Sequence, residues 1–152
     1  MVKYIKTTEV AKLIRIELKK KFPNTIFSVR SESYSGGSSI DVKWTDGPSI
    51  PKINKIIKKF EGSGFDGMTD YKYNRPPIKY KGEMVNWGVD FVFAKRNYTE
   101  KNYIATANEI GRRYGIKKRF KNVNEIMSYN KMIGSYWFND AVYQRWYKRS
   151  FK

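Results

Sequence analysis

The residues best equipped for chemistry in this chain are cationic. Arg112, Arg113, Lys117, Lys118, Arg119 and Lys121 crowd one expected helix end, while Arg145, Lys148, Arg149 and Lys152 are interleaved with Trp146, Tyr147 and Phe151. Lysine and arginine neutralise phosphates, and aromatic rings stack on unpaired bases, so this is the composition of a surface that meets nucleic acid. The same residues also fit a blander role, in which the aromatics cap a core and the cations form a solvated face that partly answers a helix C-terminus. Trp137, Tyr143, Arg145 and Trp146 are in addition the residue types that supply most of the energy of protein–protein contacts. Together these positions define the candidate surface for a partner or a nucleic acid.

The charge of the whole chain points the same way. Among 152 residues, 31 Lys and Arg face 14 Asp and Glu, a formal net charge of +17. The first 96 residues carry a net of +9, whereas the last 56 alone carry +8, so positive density rises toward the C-terminus. The apolar content of 40% and aromatic content of 16% are enough for a packed core in a chain of this length.

Two absences narrow the catalytic options. The chain has no Cys and no His, which excludes a disulfide framework, a thiol nucleophile, a zinc ribbon and an imidazole general base. A carboxylate route remains. Asp41-Val42-Lys43 on an expected strand resembles the short acidic half of a Mg²⁺-dependent nuclease site, with both side chains on one face. A cross-strand partner such as Arg30 would use Asp41 equally well. Asp66, Asp70 and Glu83 do not have the spacing of a calcium loop, and Asp66-Gly67 reads as a turn. Ser35-Gly36-Gly37-Ser38-Ser39 lacks the Gly-Lys-Ser/Thr ending of a phosphate loop and lies between two strands, where a hairpin turn explains it. No catalytic residue, cofactor or metal site is assigned. No apolar run approaches the roughly 20 residues of a membrane span, and no signal peptide is apparent, so a soluble cytoplasmic protein is expected.

The elements that position these residues follow from periodicity. Val10, Leu13, Ile14, Leu18 and Phe22 give a first helix from Thr7 to Phe22, with Thr7 or Thr8 as N-cap and Pro23 as its stop. Alternation predicts strands at Thr25 to Ser33 and Ser38 to Thr45, joined around Ser35-Gly36-Gly37. A second helix carries Ile53, Ile56, Ile57 and Phe60 after Pro51. Gly62 to Gly82 reads as a long irregular loop, and Met84 to Ala94 as a third strand. Tyr103, Ala107, Ile110 and Tyr114 form the inner face of a third helix, stopped by Gly115. A basic connection leads to a helix near Val123 to Ile133 and an aromatic segment from Tyr136 to Phe151. The expected fold is α+β: a small antiparallel sheet of about three strands with helices on one face, followed by a helical C-terminal segment. The expected division is an α+β core over 1–97 and a helical, strongly basic part over 98–152 packed on the same core.

One resemblance extends this reading. Ala11-Lys12-Leu13-Ile14-Arg15, Phe22-Pro23, Phe27-Ser28-Val29-Arg30-Ser31, Ser35 to Val42 and Trp44-Thr45-Asp46-Gly47-Pro48 together resemble the large polyvalent protein-associated domains of phages and conjugative plasmids. Phe65 to Asp70 and the Trp87 to Tyr98 segment continue the match, which covers about the first 115 residues. The resemblance implies a mobile-element origin, because such domains travel in proteins held to protect incoming DNA. Small proteins with a similar N-terminal part include anti-CRISPR proteins against type II-A RNA-guided nucleases, so the implied partner is a CRISPR effector nuclease or its ribonucleoprotein.

Three functions follow as expectations. The first is a non-enzymatic counter-defence protein that inhibits an RNA-guided nuclease; a chain of net charge +17 makes a poor DNA mimic for an electropositive channel, so an acidic or neutral surface, or the nucleic acid beside the protein, is the expected contact. The second is a DNA- or RNA-binding module using the C-terminal segment. The third is a Mg²⁺-dependent nuclease. The sequence sets no oligomeric state, and a membrane partner is not expected.

Overall fold

Ten short strands and five α-helices follow one another in the order β1 (Lys3–Ile5), α1 (Thr7–Lys21), β2 (Ser28–Tyr34), β3 (Gly37–Thr45), α2 (Ile50–Ile57), β4 (Ser63–Asp66), β5 (Tyr71–Asn74), β6 (Ile78–Tyr80), β7 (Glu83–Trp87), β8 (Phe91–Asn97), α3 (Glu100–Arg113), α4 (Val123–Met127), β9 (Met132–Ile133), β10 (Tyr136–Trp137) and α5 (Phe138–Lys148). A 3₁₀ turn, Lys58–Phe60, extends α2. The computed structural model describes residues 1–151. The chain is α+β, with small sheets that are mainly antiparallel and a helical C-terminal segment. It divides into two compact units, one made of Met1–Trp44 with Lys52–Lys95, the other of Thr45–Pro51 with Arg96–Lys152.

In the first unit, α1 forms because Val10, Ala11, Ile14 and Leu18 recur at helical spacing and are all buried, with Glu9 in the first turn and Lys19, Lys20 and Lys21 in the last, each charge favourable to the helix dipole. Its N-cap is Lys6, with no side-chain cap. Thr7 is engaged elsewhere, since its hydroxyl lies 2.9 Å from that of Ser38 and both converge on the Gly88 carbonyl at 3.1 Å. The hairpin expected around Ser35-Gly36-Gly37 is present, running in register from Ser28↔Lys43 to Tyr34↔Gly37, and β3 lies between β2 and β8.

The segment Gly62 to Gly82, expected to be irregular, is instead built. β4 and β5 form an antiparallel ladder, and β6 pairs with β7, which in turn takes β1 in parallel. The single strand expected over Met84 to Ala94 is two, interrupted at Gly88-Val89-Asp90; the buried positions shift parity across the break, from Val85, Trp87 and Val89 to Val92, and Phe93 is exposed. This break is the hub of the unit. Asp90 accepts hydrogen bonds from the Ser63 hydroxyl at 2.6 Å, the Ser38 backbone N–H at 3.1 Å and Lys72 Nζ at 3.2 Å. Burial raises the pKa of this carboxyl, but Ser63, Ser38 and Lys72 outweigh it and hold the group below the usual carboxylate range. A Cβ on Gly37 would collide with an Asp90 carboxylate oxygen, so only glycine allows the β3 backbone this close.

The second unit is organised around Arg96, 9% exposed. Its guanidinium donates to the carbonyls of Asp46 (2.7 Å), Trp146 (2.8 Å), Gly47 (3.2 Å) and Arg149 (2.8 Å), and it lies over the rings of Trp146 and Phe151. Burial lowers its pKa to about 10, against the opposing charge of Asp46, so it stays charged at neutral pH. Asp46 in turn accepts from the Thr99 backbone N–H and hydroxyl, and Thr99 caps α3. The helix expected over Val123 to Ile133 stops at Met127. A hairpin follows, pairing Ile133 with Tyr136 and Met132 with Trp137 across Gly134-Ser135.

Candidate functional site

The cationic segment Gly115–Lys121 is placed by the end of α3. Gly115 has φ of 72°, its N–H donates to the Arg112 carbonyl, and the Ile116 N–H reaches back to Gly111. This is a Schellman closure, and it requires a left-handed residue at the Gly115 position. The helix carbonyls are therefore satisfied by backbone, and the cations that follow are not needed to cap them. The reversed chain is then clamped to α3 by Asn108, whose carbonyl accepts from the Phe120 N–H (2.9 Å) and whose amide donates to the Phe120 carbonyl (3.2 Å). Asn122 caps α4 through the Glu125 N–H, while Glu125 accepts from the Lys121 N–H.

The same segment is joined to the β9–β10 hairpin by aromatic packing. Phe120 stacks on Phe138 with ring centroids 4.8 Å apart, and Tyr129 meets both rings edge-on. Phe120 and Phe138 are buried, whereas Trp137, the residue before Phe138, is 55% exposed, as is Tyr136 beside it. One buried stack thus joins the stretch of chain that carries the cations to the stretch that carries two half-open aromatic rings.

The candidate residues fall into four groups. Arg112, Lys117, Lys118, Arg119, Lys121 and Lys148 are exposed, and none has a carboxylate at ion-pair distance among the described residues. Lys118 does lean over the Phe120 ring, 5.9 Å from its centroid. Arg113, Arg145 and Arg149 converge on a single acid, Glu109, at 3.6, 3.1 and 2.7 Å; Arg113 pairs with it along α3, while Arg145 and Arg149 tie α3 to α5 and its C-cap. Trp146 is buried at 2% exposure among Tyr98, Tyr103 and Tyr143, on the inner stripe it shares with Phe138 and Val142. The spacing of four between successive members of that stripe is a helical-core signal present in the sequence. Burial also pushes the Tyr103 hydroxyl well above the usual phenol range, with Tyr98, Tyr143 and Asp140 adding to it, and that hydroxyl donates to Asn139. Trp137 and Tyr143 are exposed. Lys152 lies outside the described residues. Tyr136 and Met132, exposed on the hairpin, are members of the face that the sequence reading did not single out; the signal available was Gly134-Ser135 between two short apolar pairs.

Two of the carboxylates considered for chemistry, Asp41 and Asp66, are engaged. Asp41 pairs with Lys95 at 2.7 Å and lies across from Arg30 in the ladder. Asp66 accepts from the Met68 N–H in its own turn. Among the described residues no three His, Cys, Asp or Glu converge as a metal site. A polar cavity of about 280 Å³ in the first unit is lined by Glu61, Ser63, Arg75, Asn86, Trp87 and Asp90. Its acids are already engaged, Glu61 with Lys58 and Arg75 and Asp90 with Ser63 and Lys72.

A family model, large polyvalent protein associated domain 29, matches residues 5–99. The match covers well over half of the chain, and the chain belongs to this family. No curated protein and no solved structure matches it. The cationic and aromatic face lies wholly beyond the matched residues. Among the described residues, no helix is long and apolar enough to cross a membrane.

Proposed function

We propose that this chain is a mobile-element counter-defence protein, an anti-CRISPR that binds and inhibits a type II RNA-guided nuclease without catalysing a reaction. The family associates the chain with phage and other mobile-element proteins. The observation that carries the reading is the second unit's surplus of cations without carboxylate partners, set beside exposed aromatic residues and outside the family-matched segment. Aromatic and Arg-rich patches are the usual anchors of interfaces, and a ribonucleoprotein offers both acidic protein surface and RNA to such a face.

The test is target-DNA cleavage by guide-loaded type II nucleases with increasing amounts of the protein, together with pull-down before and after nucleic-acid digestion. Inhibition of at least one effector, with that effector retained after digestion, supports direct inhibition. Uninhibited cleavage across effectors from hosts of the element would overturn it, and metal-dependent cleavage by the protein itself would replace it with an enzymatic function.

A further inference from the structure

We infer that the face formed by Lys117–Lys121 and the β9–β10 hairpin is a binding site for single-stranded nucleic acid, with phosphates on the cations and bases stacked on Tyr136 and Trp137. The inference rests on the proposed function for its biological setting, where the strand would belong to a ribonucleoprotein, and extends it by naming what the face touches.

Three observations carry it. The first is the charge left over after internal pairing. Glu109 is shared by three guanidiniums, and among the described residues no carboxylate lies at ion-pair distance from Lys117, Lys118, Arg119 or Lys121; Glu125 and Glu100 keep their charge but accept from the Lys121 and Val123 N–H groups rather than from these side chains. These cations are also released from the usual structural duty at a helix end, because Gly115 and Ile116 already close α3. The second is proximity. Arg119 and Lys121 flank Phe120, Trp137 precedes Phe138, and the two phenyl rings are stacked at 4.8 Å. With about 3.8 Å between consecutive Cα atoms, Arg119, Lys121 and the indole are each one residue from the stacked pair, and Lys118 and Lys117 follow two and three residues away. The third is rigidity. Asn108 holds the Phe120 backbone from both sides and the hairpin holds Trp137, so the face is ordered before a ligand arrives and little entropy is lost on binding.

The choice of a single strand over a duplex follows from the rings. A half-exposed indole and phenol offer flat surfaces to bases that are unpaired, whereas duplex bases are already stacked on one another and present only backbone charge to such a face. RNA and DNA strands share the chemistry that the site would recognise.

The test uses the full chain and fluorescently labelled oligonucleotides of about 16 residues, single-stranded RNA and DNA in separate arms, against a duplex of the same length, with anisotropy read over a salt series. The expected result is tighter binding of a single strand than of duplex. Trp137→Ala should weaken it about tenfold, and Trp137→Phe should recover most of the loss. Combined Lys117→Glu, Lys118→Glu, Arg119→Glu and Lys121→Glu should abolish measurable binding. A milder Lys117→Gln and Lys118→Gln variant should flatten the salt dependence by about 0.7 per cation lost. Circular dichroism of each variant checks that it is folded. Absence of binding by the unaltered protein, duplex bound as well as single strand, or indifference to Trp137→Ala would each overturn the inference. None of these three would alter the nuclease-inhibition assay, which decides the proposed function separately.

Discussion

Arg96 shows how one side chain can serve as the frame of a unit. Four carbonyls from two distant stretches of chain, 46–47 and 146–149, receive its N–H groups, and two aromatic rings lie against it. Lysine has the charge but neither the fork nor the plane, so Arg96→Lys should cost roughly 3 kcal/mol in urea unfolding despite its conservative look. Asp90 has a comparable role in the other unit, and its dependence on pH has a definite sign. Its folded pKa lies below the ordinary carboxylate value, so its stabilisation is fully present above about pH 4 and is lost as the pH falls through the depressed folded value. Asp90→Asn should therefore lower stability at neutral pH and flatten the acid limb of the stability–pH curve, measured by denaturant midpoints at successive pH values.

At the scale of elements, Phe120, Asn108 and the hairpin form one device. Phe120→Ala should destabilise the protein by about 3–5 kcal/mol. Asn108→Ala should act more locally, speeding hydrogen exchange at the Phe120 amide while leaving amides in the middle of α1 protected. Elements with long periods were legible in the sequence. α1, β3 and α3 each repeat their apolar residues over several turns or pleats, and each is found near its expected place; β2, in which only Val29 is buried, begins three residues later than expected. The short pieces were not. β5 is Tyr71–Asn74, with no buried residue, and β9 and β10 have two residues each, too few for a period to register. What fixes them is pairing with a neighbour, of which the local sequence records at most a turn such as Gly134-Ser135. The site divides in the same way: a surplus of cations could be read from composition, but which arginines would be consumed by Glu109 depended on the packing of α3 with α5.

For the molecule as a whole, the second unit is discontinuous in sequence. Thr45–Pro51 supplies the Asp46 and Gly47 carbonyls to Arg96, the Asp46 carboxylate to Thr99 and the Ser49 N–H to Ser150, and the Gly47 carbonyl also accepts from the Phe151 N–H. A peptide beginning at residue 98 lacks both Arg96 and this segment. It should show little cooperative unfolding by circular dichroism, whereas the full chain should unfold with a clear transition. The loop also sets the terms on which this chain can take on a new C-terminal part. A new C-terminal sequence acquired by recombination downstream of residue 97 inherits a resident Asp46-Gly47-Pro48-Ser49 loop and a buried guanidinium, and must supply carbonyls and a ring to meet them. Grafts that ignore this inheritance should fail in folding, and successful ones should arrive with compensating changes far upstream, at positions 45–51.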